Sequence, residues 1–279
     1  MDYKAQSCAF CGSGALKLIS HKLTDGNVFY TYRCEACGET FSTETAYLAR
    51  KAREEKRAAM EQAAKQKKAV FAPSDTLDAP EIYRRNRNSV VELTADKGDC
   101  VGSGTGMVLP GGYVLTNAHV VFSKEKENAT RVQAADSLIG VTADKRRFAF
   151  DIVYADVRRD MALIVSDDLA APAITFADGD VTTGEKVYAI GNSKGQGICI
   201  LDGIVSDRER IVSGERYIMY SAPTVGGNSG GPLFNAHGEV IGMCTLGQKD
   251  GSLMNYAIPT GVLKAFLREA EEKEGIAIL

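Results

Sequence analysis

Three stretches with different patterns of hydrophobic and polar residues follow one another along the chain. After Pro80, short runs of Val, Ile, Leu, Tyr and Thr are separated by Gly, Asn and Asp about every ten residues. This spacing predicts short strands and an all-β sandwich or barrel. Within this stretch after Pro80, only residues 260–274 repeat their hydrophobic positions with the period of a helix. The clearest strand-like runs are residues 89–93, 106–109, 113–116, 150–154, 186–190 and 239–243.

The middle stretch, residues 46–79, predicts a charged helical linker. Neither Gly nor Pro occurs between residues 44 and 70, which favours a continuous helix. Residues 46–70 contain eight basic and three acidic side chains, and their hydrophobic positions form only a thin stripe. We therefore expect a solvated, semi-rigid spacer rather than a helix that binds a partner or nucleic acid. Pro73 and Pro80 break the helix and mark a domain boundary.

The first stretch, residues 1–45, contains two pairs of cysteines with the same spacing. Two residues separate Cys8 from Cys11 and Cys34 from Cys37, and a glycine follows each pair. Strand-like segments flank a turn between the pairs, which predicts a hairpin that brings four thiolates together. Four sulfur ligands make a closed, tetrahedral structural Zn²⁺ site with no open position for chemistry. The stretch resembles a zinc ribbon, and two disulfides or a thioredoxin-like redox pair are the alternatives.

Composition and charge exclude several classes of protein. With 44% hydrophobic and 25% charged residues, the chain falls in the globular range and outside the disordered, collagen-like and coiled-coil classes. The net charge of −3 provides no general attraction to nucleic acid or anionic membranes. The longest hydrophobic runs are far shorter than the ~20 residues that span a bilayer, so we expect no membrane segment. The first residues lack the hydrophobic region of a secretory signal, so we expect a cytoplasmic protein with reduced cysteines.

Three segments of the β-rich stretch carry candidate catalytic side chains. His119 comes just after a hydrophobic strand, where its ring can face a cleft, and Asp160 immediately precedes another hydrophobic strand. Ser229 lies within the glycine-rich segment 226–231. Small neighbours on both sides let backbone N–H groups approach the oxyanion that develops beside a serine nucleophile. Each segment alone also has an ordinary structural explanation: a buried histidine, a turn aspartate, and a flexible loop or anion nest.

The three segments, in this order, resemble the trypsin-like serine proteases and within them the HtrA/Deg group. The resemblance covers about residues 85–268 and implies a mostly β fold. The expected architecture is a trypsin-like domain of two six-stranded β-barrels with a C-terminal helix, residues 80–279, after the zinc ribbon and the linker. Because only one helix and a short hydrophobic tail follow the last predicted strand, we expect no PDZ domain of the kind usual in that group. Further similarities lie at residues 102–108, 188–192, 203–206, 238–242 and 255–259.

The resemblance also implies a role for each site residue. Ser229 is the acylating nucleophile, His119 the general base and then the general acid, and Asp160 the residue that orients the imidazole. The backbone N–H groups of Gly227 and Ser229 form the oxyanion hole. Asp160 is preferred as the acid because the hydrophobic strand starts directly after it. The other acidic candidates are Asp151 and Asp156.

The pocket for the substrate side chain that precedes the cleaved bond is expected to contain Pro223, Met243 and Thr245. No acidic residue occurs between residues 216 and 235. The pocket therefore lacks the usual counter-charge for Lys or Arg, and we expect a small or medium hydrophobic side chain there.

The predicted function is that of a serine endopeptidase acting on protein or peptide substrates. The zinc ribbon and helix would dock a protein partner or regulate the enzyme, nucleic acid is not an expected partner, and the oligomeric state is left open. The alternative is a latent protease or scaffold that binds a partner or nucleic acid through the ribbon and the basic helix.

Overall fold

The computed structural model describes residues 2–7, 13–24, 27–45, 47–48, 51, 76–98, 100–124, 132–247 and 254–279. The chain divides into two compact units, residues 1–63 and 64–279. Residues 52–75, which include most of the predicted linker, lie outside the described residues. The predicted helical linker and the two predicted domain boundaries, after residues 45 and 79, therefore stay predictions.

The first unit is built on a four-stranded sheet in which β3 pairs with all three other strands. The long hairpin between β2 and β3 runs from Leu16 opposite Cys34 to Thr24 opposite Asn27, so both predicted strand-like segments are strands. Cys34 is buried at the end of β3 and Cys37 is exposed in the turn that follows, whereas Cys8 and Cys11 lie outside the described residues. The strands are β1 (Asp2–Tyr3), β2 (Leu16–Thr24), β3 (Asn27–Cys34) and β4 (Thr40–Ser42).

The first half of the second unit is a seven-stranded antiparallel sheet in the order β11-β10-β5-β6-β7-β13-β12. Its two edge strands, β11 and β12, are separated in the chain by Phe150 alone, so the sheet must curl until its edges approach each other. The strands are β5 (Val90–Asp96), β6 (Val101–Val108), β7 (Tyr113–Thr116), β10 (Ser137–Thr142), β11 (Arg147–Ala149), β12 (Asp151–Asp156) and β13 (Met161–Val165). A separate hairpin joins β8 (Phe122–Lys124) to β9 (Val132–Ala134).

The second half of this unit is a closed six-stranded barrel in the order β14-β15-β16-β19-β18-β17. The predicted mostly β fold is confirmed, and so is the second of the two predicted barrels. The first predicted barrel is wrong in detail, because the described strands β11 and β12 form no ladder with each other and leave a half-barrel. The strands of the closed barrel are β14 (Lys186–Asn192), β15 (Ile198–Val212), β16 (Glu215–Tyr220), β17 (Pro232–Phe234), β18 (Val240–Gly247) and β19 (Asn255–Pro259).

Among the described residues of the second unit, three α-helices flank the two halves: α1 (Ala79–Asn86), α2 (Ala118–Val121) and α3 (Thr260–Glu274). The helical pattern of residues 260–274 correctly predicted α3, which ends where Gly275 adopts a left-handed conformation with φ of 61°. No helix in the described part of the chain has the length and hydrophobicity to cross a membrane.

One buried cluster joins the two halves of the second unit. It contains Met107 and Leu163 from the half-barrel, Ile190 and Phe234 from the closed barrel, and Phe266 from α3. Because both halves share this core, loops at their junction are held in defined relative positions. The candidate catalytic residues come from such loops.

Candidate active site

Strand pairing brings the predicted histidine and aspartate together. Strand β7 pairs antiparallel with β13, with Thr116 opposite Ala162. The residues that follow Thr116 therefore lie beside the residues that precede Ala162, which are Asp160 and its neighbours. The side-chain amide of Asn117 donates to the backbone carbonyl of Asp160 at 2.8 Å, and α2 then presents His119 at the surface.

The Asp160 carboxylate holds the imidazole of His119. His119 Nδ1 lies 3.0 Å from Asp160 Oδ1 and 2.9 Å from Oδ2, and the backbone N–H of His119 donates to Oδ1 at 2.9 Å. The hydroxyl of Thr245 donates to Oδ2 at 2.7 Å. With Nδ1–H directed to the carboxylate, Nε2 keeps its lone pair and can accept a proton.

The backbone at Asp160 is itself unusual, with a left-handed φ of 57°. Aspartate is one of the few residues other than glycine that adopt this conformation readily, and such strained positions cluster at functional sites. In this conformation the side chain reaches β18, whereas the next residue, Met161, begins the buried strand β13.

Thr245 also connects the aspartate to the predicted nucleophile. The hydroxyl of Ser229 donates to the backbone carbonyl of Thr245 at 3.4 Å, and the Thr245 side chain contacts Asp160. Among the described residues no hydrogen bond joins Ser229 to His119. Such a bond is often long in a ligand-free enzyme and shortens in the substrate complex.

Glycine residues allow the three segments to approach each other. A Cβ on Gly104 would lie 2.5 Å from Cγ2 of Val120, next to His119, and 3.2 Å from the carbonyl oxygen of Ser229. Gly227 has a φ of 98°, and a Cβ at this position would lie only 2.1 Å from the carbonyl oxygen of Asn192, so no side chain fits there. The predicted glycine-rich loop is therefore required by local geometry on both sides of the site.

The two predicted oxyanion donors are the backbone N–H groups of Gly227 and Ser229. Between Gly227 and Gly231, three N–H groups bond to backbone carbonyls: Asn228 to Val225, Gly230 to Cys244, and Gly231 to Asn228. Within the described part of the chain, the N–H groups of Gly227 and Ser229 donate to no acceptor. Free N–H groups beside a serine hydroxyl have the chemistry of an oxyanion hole.

A cavity of about 350 Å³ opens beside Ser229. None of the residues that line it within the described chain carries a charge at neutral pH. Burial raises the pKa of Tyr220 and raises the pKa of the Cys244 thiol to about 12, so that both stay protonated. The lining residues are Tyr220, Thr224, Val225, Gly226, Asn228, Ser229, Cys244, Thr245, Gly247 and Asn255.

The structure corrects two of the three predicted pocket residues. Thr245 lines the cavity, but Pro223 is exposed to solvent and Met243 is buried in the core cluster shared by the two halves. A register shift between Cys244 and Leu246 in β18 interrupts the alternation of the strand. As a consequence Cys244 and Thr245, although consecutive, both reach the cavity.

Several site residues escaped the sequence interpretation. Tyr220 and Thr224 join their hydroxyl groups at 2.9 Å in the cavity wall, and the Asn255 amide donates to the carbonyl of Ala222 at 2.8 Å. The Asn255 contact depends on the pairing of β16 with β19, which no local motif marks, whereas Tyr220 and Thr224 lie only four residues apart and depend on the path of the loop between them. Asn117 did carry a signal, because it is an amide inside an otherwise hydrophobic stretch next to His119.

The other acidic candidates have different surroundings. Asp156 accepts hydrogen bonds from the backbone of Arg158 and from the backbone and side chain of Arg159, so its carboxylate shapes a turn. Asp151 is exposed at the start of β12.

Of the four predicted metal ligands, the structure describes Cys34 and Cys37. The described residues contain no cluster of three or more metal-binding side chains.

Comparison with known proteins identifies relatives of this chain. A probable periplasmic serine endoprotease, DegP-like, from Pseudomonas putida (strain W619) is 32% identical over 197 residues, 66% of this chain and 39% of that protein. The periplasmic serine endoprotease DegP of Salmonella typhimurium is 35% identical over 173 residues, 59% of this chain and 34% of that protein. The solved HtrA-type protease AlgW with a tripeptide matches with a TM-score of 0.62 and 29% identity, over 71% of this chain and 64% of that chain.

These relatives support the interpretation of this chain as an HtrA-type serine protease, which is a serine endopeptidase. The matched part spans only 39% and 34% of the length of the two curated relatives. The predicted cytoplasmic location is wrong, because both relatives are named periplasmic endoproteases. That prediction relied on the polar character of the first residues, a feature too weak to assign a compartment.

The sequence profile of the trypsin-like peptidase domain agrees with the geometry. It matches residues 104–243, half of the chain, and this range includes His119, Asp160 and Ser229. With the profile, the two barrel-like halves and the glycine-rich serine loop in agreement, the chain belongs to the family of trypsin-like peptidases.

Proposed function

We propose that this protein is a serine endopeptidase that cleaves peptide bonds through an acyl-enzyme on Ser229. The observation that carries the proposal is the hydrogen-bonded arrangement in which Thr245 links Ser229 to Asp160 and Asp160 holds His119. The N–H groups of Gly227 and Ser229, which donate to no acceptor among the residues that the structure describes, support it. The arrangement combines a nucleophile, a base with a set tautomer, and donors for a developing negative charge.

Each group has one task in the proposed reaction. His119 Nε2 takes the proton of the Ser229 hydroxyl as its oxygen bonds to the substrate carbonyl carbon, and the carbonyl oxygen becomes an oxyanion. The two N–H groups stabilise that charge, and loss of one such donor typically costs ~10²- to 10³-fold in kcat. His119 then gives its proton to the departing amine, the carbon–nitrogen bond breaks, and water releases the acyl group by the same steps in reverse.

We also propose that the cavity accepts a small or medium uncharged side chain before the cleaved bond. Val225 and Tyr220 supply hydrophobic wall surface, and the protonated Tyr220 and Cys244 contribute no charge. Burial of a Lys or Arg head there, without a counter-charge, costs more than the contact returns. A mixture of peptides that differ only at this position tests the preference: Ala, Val and Leu should be cleaved, and faster cleavage after Lys, Arg or Asp would contradict it.

Mass spectrometry of the intact protein after fluorophosphonate treatment tests the proposed function directly. Wild type should gain a single adduct, and Ser229→Ala should gain none. Ser137→Ala, a matched control at an exposed position of β10, should react like wild type. A folded wild-type protein that gains no adduct and hydrolyses no peptide would refute an assembled triad and favour the latent or scaffold alternative.

For the N-terminal unit we propose a structural Zn²⁺ site formed by Cys8, Cys11, Cys34 and Cys37. The turn after β3 fits this use: the N–H of Cys34 donates to the carbonyl of Glu39, and the N–H of Gly38 donates to the carbonyl of Cys34. Gly38 has a φ of 78°, and the turn folds back on the buried Cys34. Bound Zn²⁺ would supply no chemistry, only crosslinks in a small unit that has little core of its own.

The zinc proposal competes with two disulfides, which the periplasmic relatives make relevant. Metal analysis of the purified chain should find one Zn²⁺ per molecule, and thiol titration after chelation should release the four cysteines. Absence of the metal together with four fewer titratable thiols would favour disulfides instead. Docking of a protein partner by this unit stays a prediction.

A further inference from the structure

A buried hydroxyl in the half-barrel contacts the oxyanion loop of the closed barrel. Thr105 lies in β6 and is fully buried. Its hydroxyl donates to the carbonyl of Gly227 at 2.6 Å and accepts from the N–H of Asn192 at 2.9 Å. Its backbone N–H donates to the carbonyl of Ser229 at 2.8 Å. One residue therefore contacts the loop on both sides of Asn228, yet the proposed reaction gives it no task.

These contacts bear on the direction of the Gly227 N–H group. The peptide between Gly226 and Gly227 is trans, and its carbonyl accepts from the N–H of Lys194 at 2.7 Å. In a trans peptide the N–H points away from the carbonyl, so this bond turns the Gly227 N–H away from Lys194. The next peptide is held by Thr105 at its carbonyl and by Val225 at its N–H. Both peptides that flank Gly227 are thus held.

Without these bonds the loop would have other conformations to adopt. Gly227 has no side chain and a φ of 98°, so its own backbone torsions are little restricted and hydrogen bonds must fix the direction of its peptides. The carbonyl of Gly227 is buried with its residue, and a buried carbonyl that loses its donor is driven to find another one. The rotation that supplies a new donor to this carbonyl would also displace the neighbouring N–H groups.

Thr105 also connects the loop to the turn that carries Lys194. Its hydroxyl oxygen accepts the N–H of Asn192, and the Asn192 side chain accepts the N–H of Gly197, which closes the turn. Lys194 in this turn has a left-handed φ of 53°, an uncommon conformation for lysine that needs such support. The Thr105 hydroxyl therefore also stabilises the turn whose Lys194 N–H donates to the carbonyl of Gly226.

We infer that Thr105 is a positioning residue that keeps the N–H of Gly227 directed at the oxyanion through its hydroxyl. The inference rests on the proposed peptidase function and adds a residue of the half-barrel to the machinery of the closed barrel. Because the groups that hold the loop belong to this chain, the loop keeps this conformation without a bound partner.

The experiment compares Thr105→Val, which keeps the shape and removes the hydroxyl, with Thr105→Ser, which keeps the hydroxyl. Thr105→Val should lower kcat for a peptide substrate ~10²-fold, as the loss of an oxyanion donor does, with KM changed less than threefold. Thr105→Ser should stay within threefold of wild type in both constants. Inhibition by a peptide boronic acid, which places an anionic tetrahedral centre in the site, should weaken in Thr105→Val in parallel with kcat.

Hydrogen–deuterium exchange of residues 224–231 provides a readout that needs no activity. Exchange there should rise in Thr105→Val and stay at the wild-type rate in Thr105→Ser. A wild-type protein that neither hydrolyses peptides nor reacts with the fluorophosphonate refutes the proposed function, while the exchange data still decide whether the hydroxyl holds the loop. Wild-type kcat and wild-type exchange in Thr105→Val overturn the inference.

Thermal unfolding separates positioning from folding. Thr105→Ala is the second variant without a hydroxyl and should reproduce the loss of kcat if Thr105→Val does not fold. Failure of both variants to fold at the assay temperature would assign Thr105 a structural role only and would also overturn the inference.

Discussion

Replacement of Asp160 by Asn probes the tautomer of His119 with almost no change in shape. In the wild-type protein, Oδ1 of the carboxylate accepts from the backbone N–H of His119 and Oδ2 accepts from the Thr245 hydroxyl. Both oxygens also lie within 3.0 Å of His119 Nδ1. An asparagine offers one acceptor oxygen and one NH₂ donor for the same partners. Its orientation is decided by the His119 backbone N–H, which cannot become an acceptor, whereas the Thr245 hydroxyl can turn.

The amide oxygen should therefore take the place of Oδ1 and the NH₂ group the place of Oδ2, 2.9 Å from Nδ1. An NH₂ group at that distance favours an Nδ1 that accepts, which moves the ring proton to Nε2. A protonated Nε2 cannot take the proton of Ser229. We expect kcat to fall ~10⁴-fold, the size of effect that a wrong tautomer has in a trypsin-like site, or about 5.5 kcal/mol of transition-state stabilisation.

Steady-state hydrolysis of a peptide and the rate of fluorophosphonate labelling measure this loss. KM should change little, since Asp160 does not line the cavity. Asp151→Asn is the matched control, because this carboxylate is exposed at the start of β12, and it should retain kcat within twofold. A folded Asp160→Asn protein with kcat within tenfold of wild type would refute the tautomer argument.

Three further predictions concern stability and thiol chemistry. Phe266→Ala, which removes a fully buried ring of α3, should lower the free energy of unfolding by about 3–5 kcal/mol in urea denaturation, and a loss below 1 kcal/mol would contradict its place in the core. Hydrogen bonds from Arg159 hold the pKa of Glu269 below its usual value, so Glu269→Gln should destabilise the protein at pH 7. A lowered carboxyl pKa adds stability that is lost as the pH falls through it, so the unfolding midpoints of variant and wild type should converge under acidic conditions, and an unchanged gap would argue against the ion pair. At pH 8, iodoacetamide should modify the exposed Cys100 and spare the buried Cys244, whose thiol has a pKa of about 12, as peptide mapping of the folded protein can establish.

Much of the fold follows from patterns that are local in the sequence. The runs 113–116 and 186–190 lie within strands β7 and β14, and the helical period of residues 260–274 corresponds to α3. Whether the half-barrel closes does not follow in this way. It depends on whether β11 and β12, joined through Phe150, pair across the seam, and no residue of either strand encodes that pairing alone.

The features of the site likewise divide into those that the local sequence reveals and those that depend on the fold. The residue types at 119, 160 and 229 and the glycines around the serine are visible in the sequence, because each has a local requirement. The cavity wall is not visible, because it depends on the register shift in β18 that brings Cys244 and Thr245 to the same side. Pro223 was expected in the pocket because it stands six residues before the serine, and Met243 was expected on the opposite wall, but neither the path of the loop nor the register of β18 can be read from the sequence.

The bonds that complete the site run between the two halves of the domain. Thr105 reaches Gly227 across 122 residues of sequence, and Thr245 reaches Asp160 across 85. In each bond, one partner belongs to the half-barrel and the other to the closed barrel. Contacts over such separations form only after the loop-closure entropy has been overcome, and here the shared core of Met107, Phe234 and Phe266 supplies the burial that does so. Local patterns can therefore name the reacting groups, but the relative orientation of the two halves decides whether His119, Ser229 and the N–H of Gly227 act on the same carbonyl.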